Sequence, residues 1–152
     1  MMVVFVRHGE RRRADVDPGL TSAGRRMAFE TGQWIGAQAW GTVTFLTTPT
    51  TRTRQTTAEL RMALDSDAPV LECAMPEQEA ELDLWLRGLL NAAPAADVLV
   101  CVGHHPTIEL LQCRYPPPVC IPRGNFACAM ALRVHNETDM TCVASWPGRP
   151  SF

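Results

Sequence analysis

The sequence predicts an α/β fold, a three-layer α/β/α sandwich with a mostly parallel central sheet and an antiparallel edge, in one domain spanning residues 1–152. Three observations predict it. Short apolar, β-branched runs at 2–6 and 98–102 read as buried strands, the pattern of a parallel sheet, and 42–47 alternates and then turns apolar, as a third strand. Each stops abruptly at Gly, His, Thr or Arg, and helix-length segments separate them. The last two apolar runs, 126–132 and 140–146, are joined only by the polar stretch 135–139, so they read as an antiparallel hairpin at one edge.

In chain order, the first strand runs into Arg7, His8, Gly9 and Glu10, where Gly9 lets the backbone turn and a ligand approach. Arg11, Arg12 and Arg13 follow, either as a solvated charge run or as a rim that attracts a phosphorylated partner. Asp15 to Gly19 is a turn cluster. Thr21 is the expected N-cap of a helix from about 22 to 39, with Met27, Trp34, Ile35 and Gln38 near one face and Gly41 closing it. After the strand at 42–47, a helix starts near Thr50 or Thr51 and runs to about Leu64. Arg52 falls in its first turn, an adverse place for a cation unless an anion binds beside it. Arg54 points elsewhere and reads as a surface residue. Gln55 shares Arg52's side and is as well suited to structure as to binding.

A short edge strand is expected at 68–72, with Pro69 near its start. A helix is expected from 76 to about 91, acidic in its first turn. Pro94 to Asp97 turns the chain into the strand at 98, and Pro106 sits in the first turn of a helix through Leu111, which leaves His104 just before a helix N-terminus. The Tyr115–Pro118 stretch is a loop.

Composition removes several classes. With 14 Lys+Arg against 16 Asp+Glu, and every one of those cations an arginine, there is no general field for nucleic acid, so an anion site has to be built locally. The longest apolar runs are far short of a membrane span and no secretory leader is evident, so the expectation is a cytoplasmic protein without a membrane partner. The six cysteines form no Cys-x-x-Cys pair, and they read as reduced, mostly buried thiols, a Cys113–Cys120 bridge being the alternative.

The motifs narrow the function. Arg7-His8-Gly9, the segment Thr48-Pro49-Thr50-Thr51-Arg52-Thr53-Arg54-Gln55-Thr56 and Gly103-His104 each follow a buried strand, in this order, and Leu20-Thr21-Ser22-Ala23-Gly24 opens a helix. This set resembles the histidine phosphatase superfamily, which includes the cofactor-dependent phosphoglycerate mutases and many phosphatases. The resemblance covers about two thirds of the chain. The short length and the ending 144–148 look most like the small SixA-type phosphohistidine phosphatases. The resemblance implies a metal-independent, cofactor-free phosphatase in which His8 is the covalent nucleophile. It implies that Arg7, Arg52 and His104, with His8, bind the phosphate and stabilise its charge in the transition state.

The residue types suit that chemistry. Guanidinium forks match paired phosphate oxygens, which fits Arg7 and Arg52, and a neutral imidazole is a competent nucleophile near neutral pH. A general acid is expected among Glu77, Glu79 and Glu81, with Glu77, nearest the loop, preferred; the alternative is that all three only decorate a helix start. His105 is expected behind the site and His135 in solvent. The expected substrate is phosphohistidine in a protein, with a small phosphate ester as the alternative. Mutase activity, a phosphoprotein-binding module without turnover, and a zinc site at His8, His104, His105 and a cysteine are the remaining readings. The sequence leaves the oligomeric state open.

Overall fold

A computed structural model describes residues 1–13, 16–92 and 95–151; Asp15 of the first expected turn and Pro94 of the second lie outside them. The elements run β1 (Met2–Arg7), α1 (Ser22–Ala37), β2 (Val43–Thr47), α2 (Thr51–Ala63), β3 (Val70–Glu72), α3 (Glu79–Ala92), β4 (Val98–Gly103), α4 (His105–Arg114), β5 (Ala129–Asn136) and β6 (Asp139–Trp146). They build one six-stranded sheet in the order β3-β2-β4-β1-β5-β6. The pairs among β3, β2, β4 and β1 are parallel, and β1–β5 and β5–β6 are antiparallel. This is the three-layer, mostly parallel sheet with an antiparallel edge that the apolar runs predict.

The layers follow from the period-two alternation of strand side chains. Val4, Val6, Val98, Val100 and Val102 face one way and pack with Ile35 of α1 and Leu60 of α2. Val3, Phe5, Leu99 and Cys101 face the other way and pack with Leu82 and Leu86 of α3 and Ile108 and Leu111 of α4. Because both faces are covered, the central strands have no polar face, which is why their sequences read as unbroken apolar runs. No helix among the described residues is long and apolar enough to cross a membrane.

Several boundaries depart from the sequence expectation. Thr21 does cap α1, accepting from the Gly24 N–H at 2.9 Å. That helix, however, is closed by Ala39 at φ 52°, while Gly41, at φ 119°, turns the chain into β2 against the Asp97 side chain. Helix α3 begins at Glu79 rather than at 76, because the carbonyl of Pro76 is taken by the Thr107 hydroxyl at 2.7 Å and the preceding segment lies across the end of β4, Met75 against Gly103. Helix α4 continues to Arg114, just ahead of the proline loop. Strand β5 starts at Ala129 rather than at 126. Residues 126–128 instead cross the end of β1, with Ala127 at φ 52° and its N–H on the His8 carbonyl, and the Arg7 N–H on the Cys128 carbonyl. All six thiols are free, Cys101 and Cys128 buried, Cys113 and Cys120 exposed.

Candidate active site

Strand order explains how three distant motifs meet. Strands β2, β4 and β1 are neighbours, so their carboxyl ends deliver Thr48, His104 and His8 side by side, with the His8 N–H on the Gly103 carbonyl at 3.0 Å and the Thr48 N–H on that of Val102 at 3.1 Å. This is the end of an open α/β sheet where ligands bind. The loop after β1 is fixed by contact rather than by flexibility. A side chain at Gly9 would overlap the Gly24 carbonyl, and one at Gly24 would overlap the backbone of Glu10. The Gly9 N–H donates to Thr56 Oγ1 at 3.0 Å, tying this loop to α2.

His8 is buried, and its Nδ1 lies 2.7 Å from the Gly9 carbonyl oxygen. A carbonyl only accepts, so Nδ1 carries the proton and Nε2 keeps its lone pair. Burial, followed by the charges of Arg52 and Arg7, pushes the His8 pKa down to about 3, so the ring is neutral at physiological pH. His104 is set by a directional chain. Arg52 Nη2 donates to its Nδ1 at 3.3 Å, its Nε2–H donates to Thr48 Oγ1 at 2.9 Å, Thr48 Oγ1 donates to Thr53 Oγ1 at 2.9 Å, and Thr53 Oγ1 to the Thr48 carbonyl at 2.7 Å. Burial and then Arg52 also lower the His104 pKa. The two rings meet edge to face, centroids 5.5 Å apart.

Arg7 donates from Nη1 to the Asn125 carbonyl at 2.9 Å and lies 4.3 Å over the Phe126 ring, which also flanks His8. The Nε atoms of Arg7 and Arg52 are both buried without a hydrogen-bond partner, and neither guanidinium forms an ion pair among the described residues. Two cations held together with unused donors suit an anion with several oxygens.

The structure brings Arg7, His8, Arg52 and His104 together and separates the three candidate acids. Glu77 lines a cleft of about 500 Å³ with His105, Glu109 and Asn125, and its charge acts on His104. Glu79 sits on α3 and pairs with Arg114 at 3.5 Å, and Glu81 is exposed on the same helix. His105 pairs with Glu109 at 3.0 Å. Arg54 is at the surface, paired with Glu72 at 2.7 Å, and Gln55 is structural, its Oε1 accepting from the Leu20 N–H at 2.7 Å. His135 is exposed. No group of three His, Cys, Asp or Glu side chains among the described residues is arranged to hold a metal ion.

Sequence reasoning missed three contributors. Asp17 accepts from the Thr51 N–H at 2.8 Å and hydroxyl at 2.7 Å, which holds its own pKa down and places an internal anion at the α2 N-terminus, so Arg52's position there does not by itself require a ligand. Phe126 reads as a strand residue until the crossing at 126–128 is seen. Thr48 lies inside a motif, but only the fold shows that its hydroxyl orients His104.

Among curated proteins, none matches the chain. The model of the histidine phosphatase superfamily (branch 1) matches residues 3–80. Among solved structures, the protein histidine phosphatase SixA complexed with tungstate superposes with a TM-score of 0.75 at 19% identity, covering 95% of this chain and 96% of that one. The native mycobacterial glucosyl-3-phosphoglycerate phosphatase gives a TM-score of 0.68 at 14% identity, covering 93% and 95%. The phosphoserine phosphatase from Entamoeba histolytica, complexed with 3-phosphoglyceric acid, gives 0.63 at 13% identity, covering 95% and 95%. These similarities show a shared fold, while the family match takes in Arg7, His8, Arg52 and Glu77 and covers just over half of the sequence. The chain belongs to the histidine phosphatase superfamily and is a phosphatase.

Proposed function

We propose that this phosphatase acts through a covalent phosphohistidine on His8 and that its substrate is phosphohistidine in proteins. The observation that carries the mechanism is the state of the His8 ring: Nδ1–H is held on the Gly9 carbonyl and Nε2 is left with a lone pair at neutral pH. Arg7, Arg52 and His104 gather the phosphate oxygens and screen their charge, without which the nucleophile is repelled. The Nε2 lone pair attacks phosphorus, the bond from phosphorus to the leaving atom breaks, and that atom leaves with the electron pair and takes a proton. The phosphorylated ring is cationic, so the 2.7 Å bond from Nδ1–H to the Gly9 carbonyl becomes charge-assisted and stabilises the intermediate. Water then attacks phosphorus, releasing inorganic phosphate and returning the lone pair to Nε2.

The substrate class rests on the leaving group. A phosphorylated imidazole leaves as a nitrogen base that needs little help from an acid, and surface clefts lined by Asn125 and by Phe126, the two residues that Arg7 touches, give a protein segment room beside the site. The SixA structure in the comparison is described as a protein histidine phosphatase. Free thiols at Cys113 and Cys120 fit a reducing, cytoplasmic setting. One observation favours the second reading, a small phosphate ester: Glu77 stands within electrostatic reach of His104, where an acid could protonate an alkoxide. The two separate on Glu77→Gln, assayed with a phosphohistidine peptide and with glycerol phosphate. The phosphohistidine reading expects the wild type to prefer the peptide and the variant to lose less than about threefold on it. The ester reading expects a preference for glycerol phosphate and a loss of about 10²-fold or more.

A further inference from the structure

We propose that Arg11 and Arg13 form a second anion subsite beside the phosphate site, so that the protein substrate presents an acidic side chain next to its phosphorylated residue. The proposal rests on the phosphatase reading of His8 and names which phosphoproteins fit it.

The first ground is geometry. A cleft of about 420 Å³ is lined by Glu10, Arg11, Arg12, Arg13 and Phe126. Phe126 is the wall it shares with the catalytic centre, since the same ring lies under the Arg7 guanidinium and against His8. The segment is held in place, with the Arg12 N–H on the Gly19 carbonyl at 2.8 Å and the Thr21 N–H on that of Glu10 at 2.9 Å. The cations therefore stand on a braced strip rather than on a loose tail.

The second ground is charge. Arg11 and Arg13 have neither an ion pair nor a side-chain hydrogen bond among the described residues; Arg26, Arg61, Arg87 and Arg133 also lack an ion pair, but only Arg11 and Arg13 of these line the cleft beside the phosphate site. Arg12 is partly engaged, its Nε donating to the Leu20 carbonyl at 3.3 Å. Glu10, also on the cleft, accepts from Thr21 and Ser151, and it stands against three guanidiniums. Burial is the main cause of the lowered pKa values of Arg7 and Arg52, and Arg11's charge lowers both further, so one positive field spans the cleft and the phosphate site. The opposite flank carries Glu77, and its Glu109 is already paired with His105 and Arg123. A second negative group on the substrate is drawn to the Arg11 and Arg13 side of the mouth, which fixes the direction in which a phosphorylated segment lies.

The test uses peptides bearing a hydrolysis-resistant triazole phosphonate in place of phosphohistidine, flanked either by Asp or by Ala, with binding followed by fluorescence anisotropy. The wild type is expected to bind the Asp-flanked peptide about tenfold more tightly, and this ratio is expected to fall to about one in the Arg11→Ala/Arg13→Ala variant and at high salt. Equal affinities in the wild type, a ratio that survives in the variant, or equal binding of an unphosphorylated Asp-rich peptide would each overturn the subsite. The two readings fail separately. A phosphoryl adduct on His8 without any flank preference removes the subsite and leaves the phosphatase mechanism, while a flank preference without an adduct keeps the subsite and removes the mechanism.

Discussion

At His8 the surroundings act on two protons in opposite senses. The Gly9 carbonyl retains the one on Nδ1, while burial and the two guanidiniums expel the one that would occupy Nε2. The consequence for stability has a definite sign. The folded ring titrates at about 3 and the unfolded one near about 6.5, so as pH falls between these values the unfolded chain gains a proton that the folded chain refuses. Stability from this group is full above about pH 6.5 and declines below it. Urea midpoints at pH 6.5 and 5 are expected to differ more in the wild type than in His8→Asn; an equal difference would show that His8 is not held neutral. At this scale the clustering of Arg7, His8, Arg52 and His104 was legible, because Arg7, His8 and His104 stand at the ends of runs that only a buried strand explains. Glu77 was not fixed by the sequence. Its place depends on the Thr107–Pro76 hydrogen bond, between residues far apart in the chain.

Among the elements, α2 carries most of the positioning. It holds Arg52, supplies Thr53 to the hydroxyl chain behind His104, and gives Thr56 to the loop after β1. Its seat on α1 depends on Gly32, where a side chain would run into Ala63 Cβ at 2.6 Å and Leu60 Cα at 3.2 Å. Gly32→Val is expected to lower stability by about 1–3 kcal/mol through overpacking, read from the urea midpoint. A midpoint within error of the wild type would mean the two helices are not closely packed there. The elements themselves were largely readable from periodicity and capping, as Thr21 and Thr50 show. What escaped was set by tertiary contact: the late start of α3 behind Pro76, and the crossing at 126–128, whose backbone hydrogen bonds are divided among Arg149, His8 and Arg7 instead of running along one neighbouring strand.

For the whole molecule, the sheet order converts three remote strand ends into one cationic centre in a chain of net charge −2. Such a centre is destabilised by its own repulsion and relieved by an anion. Inorganic phosphate at about 100 times its dissociation constant is expected to stabilise the fold by about 2.7 kcal/mol, a rise of roughly 5–10 °C in Tm for a chain of this size. Arg52→Ala is expected to lose most of that rise. A rise unchanged in the variant would place the anion elsewhere.

The covalent step on His8 is open to intact-protein mass spectrometry. The wild type is exposed briefly to a phosphoryl donor such as phosphoramidate, quenched at alkaline pH, and compared with His8→Ala. A covalent step on His8 predicts a gain of one phosphoryl group, lost on acid treatment, absent from the variant and mapped to His8. Rapid turnover with no adduct on His8, or an adduct of equal amount in His8→Ala, would contradict it.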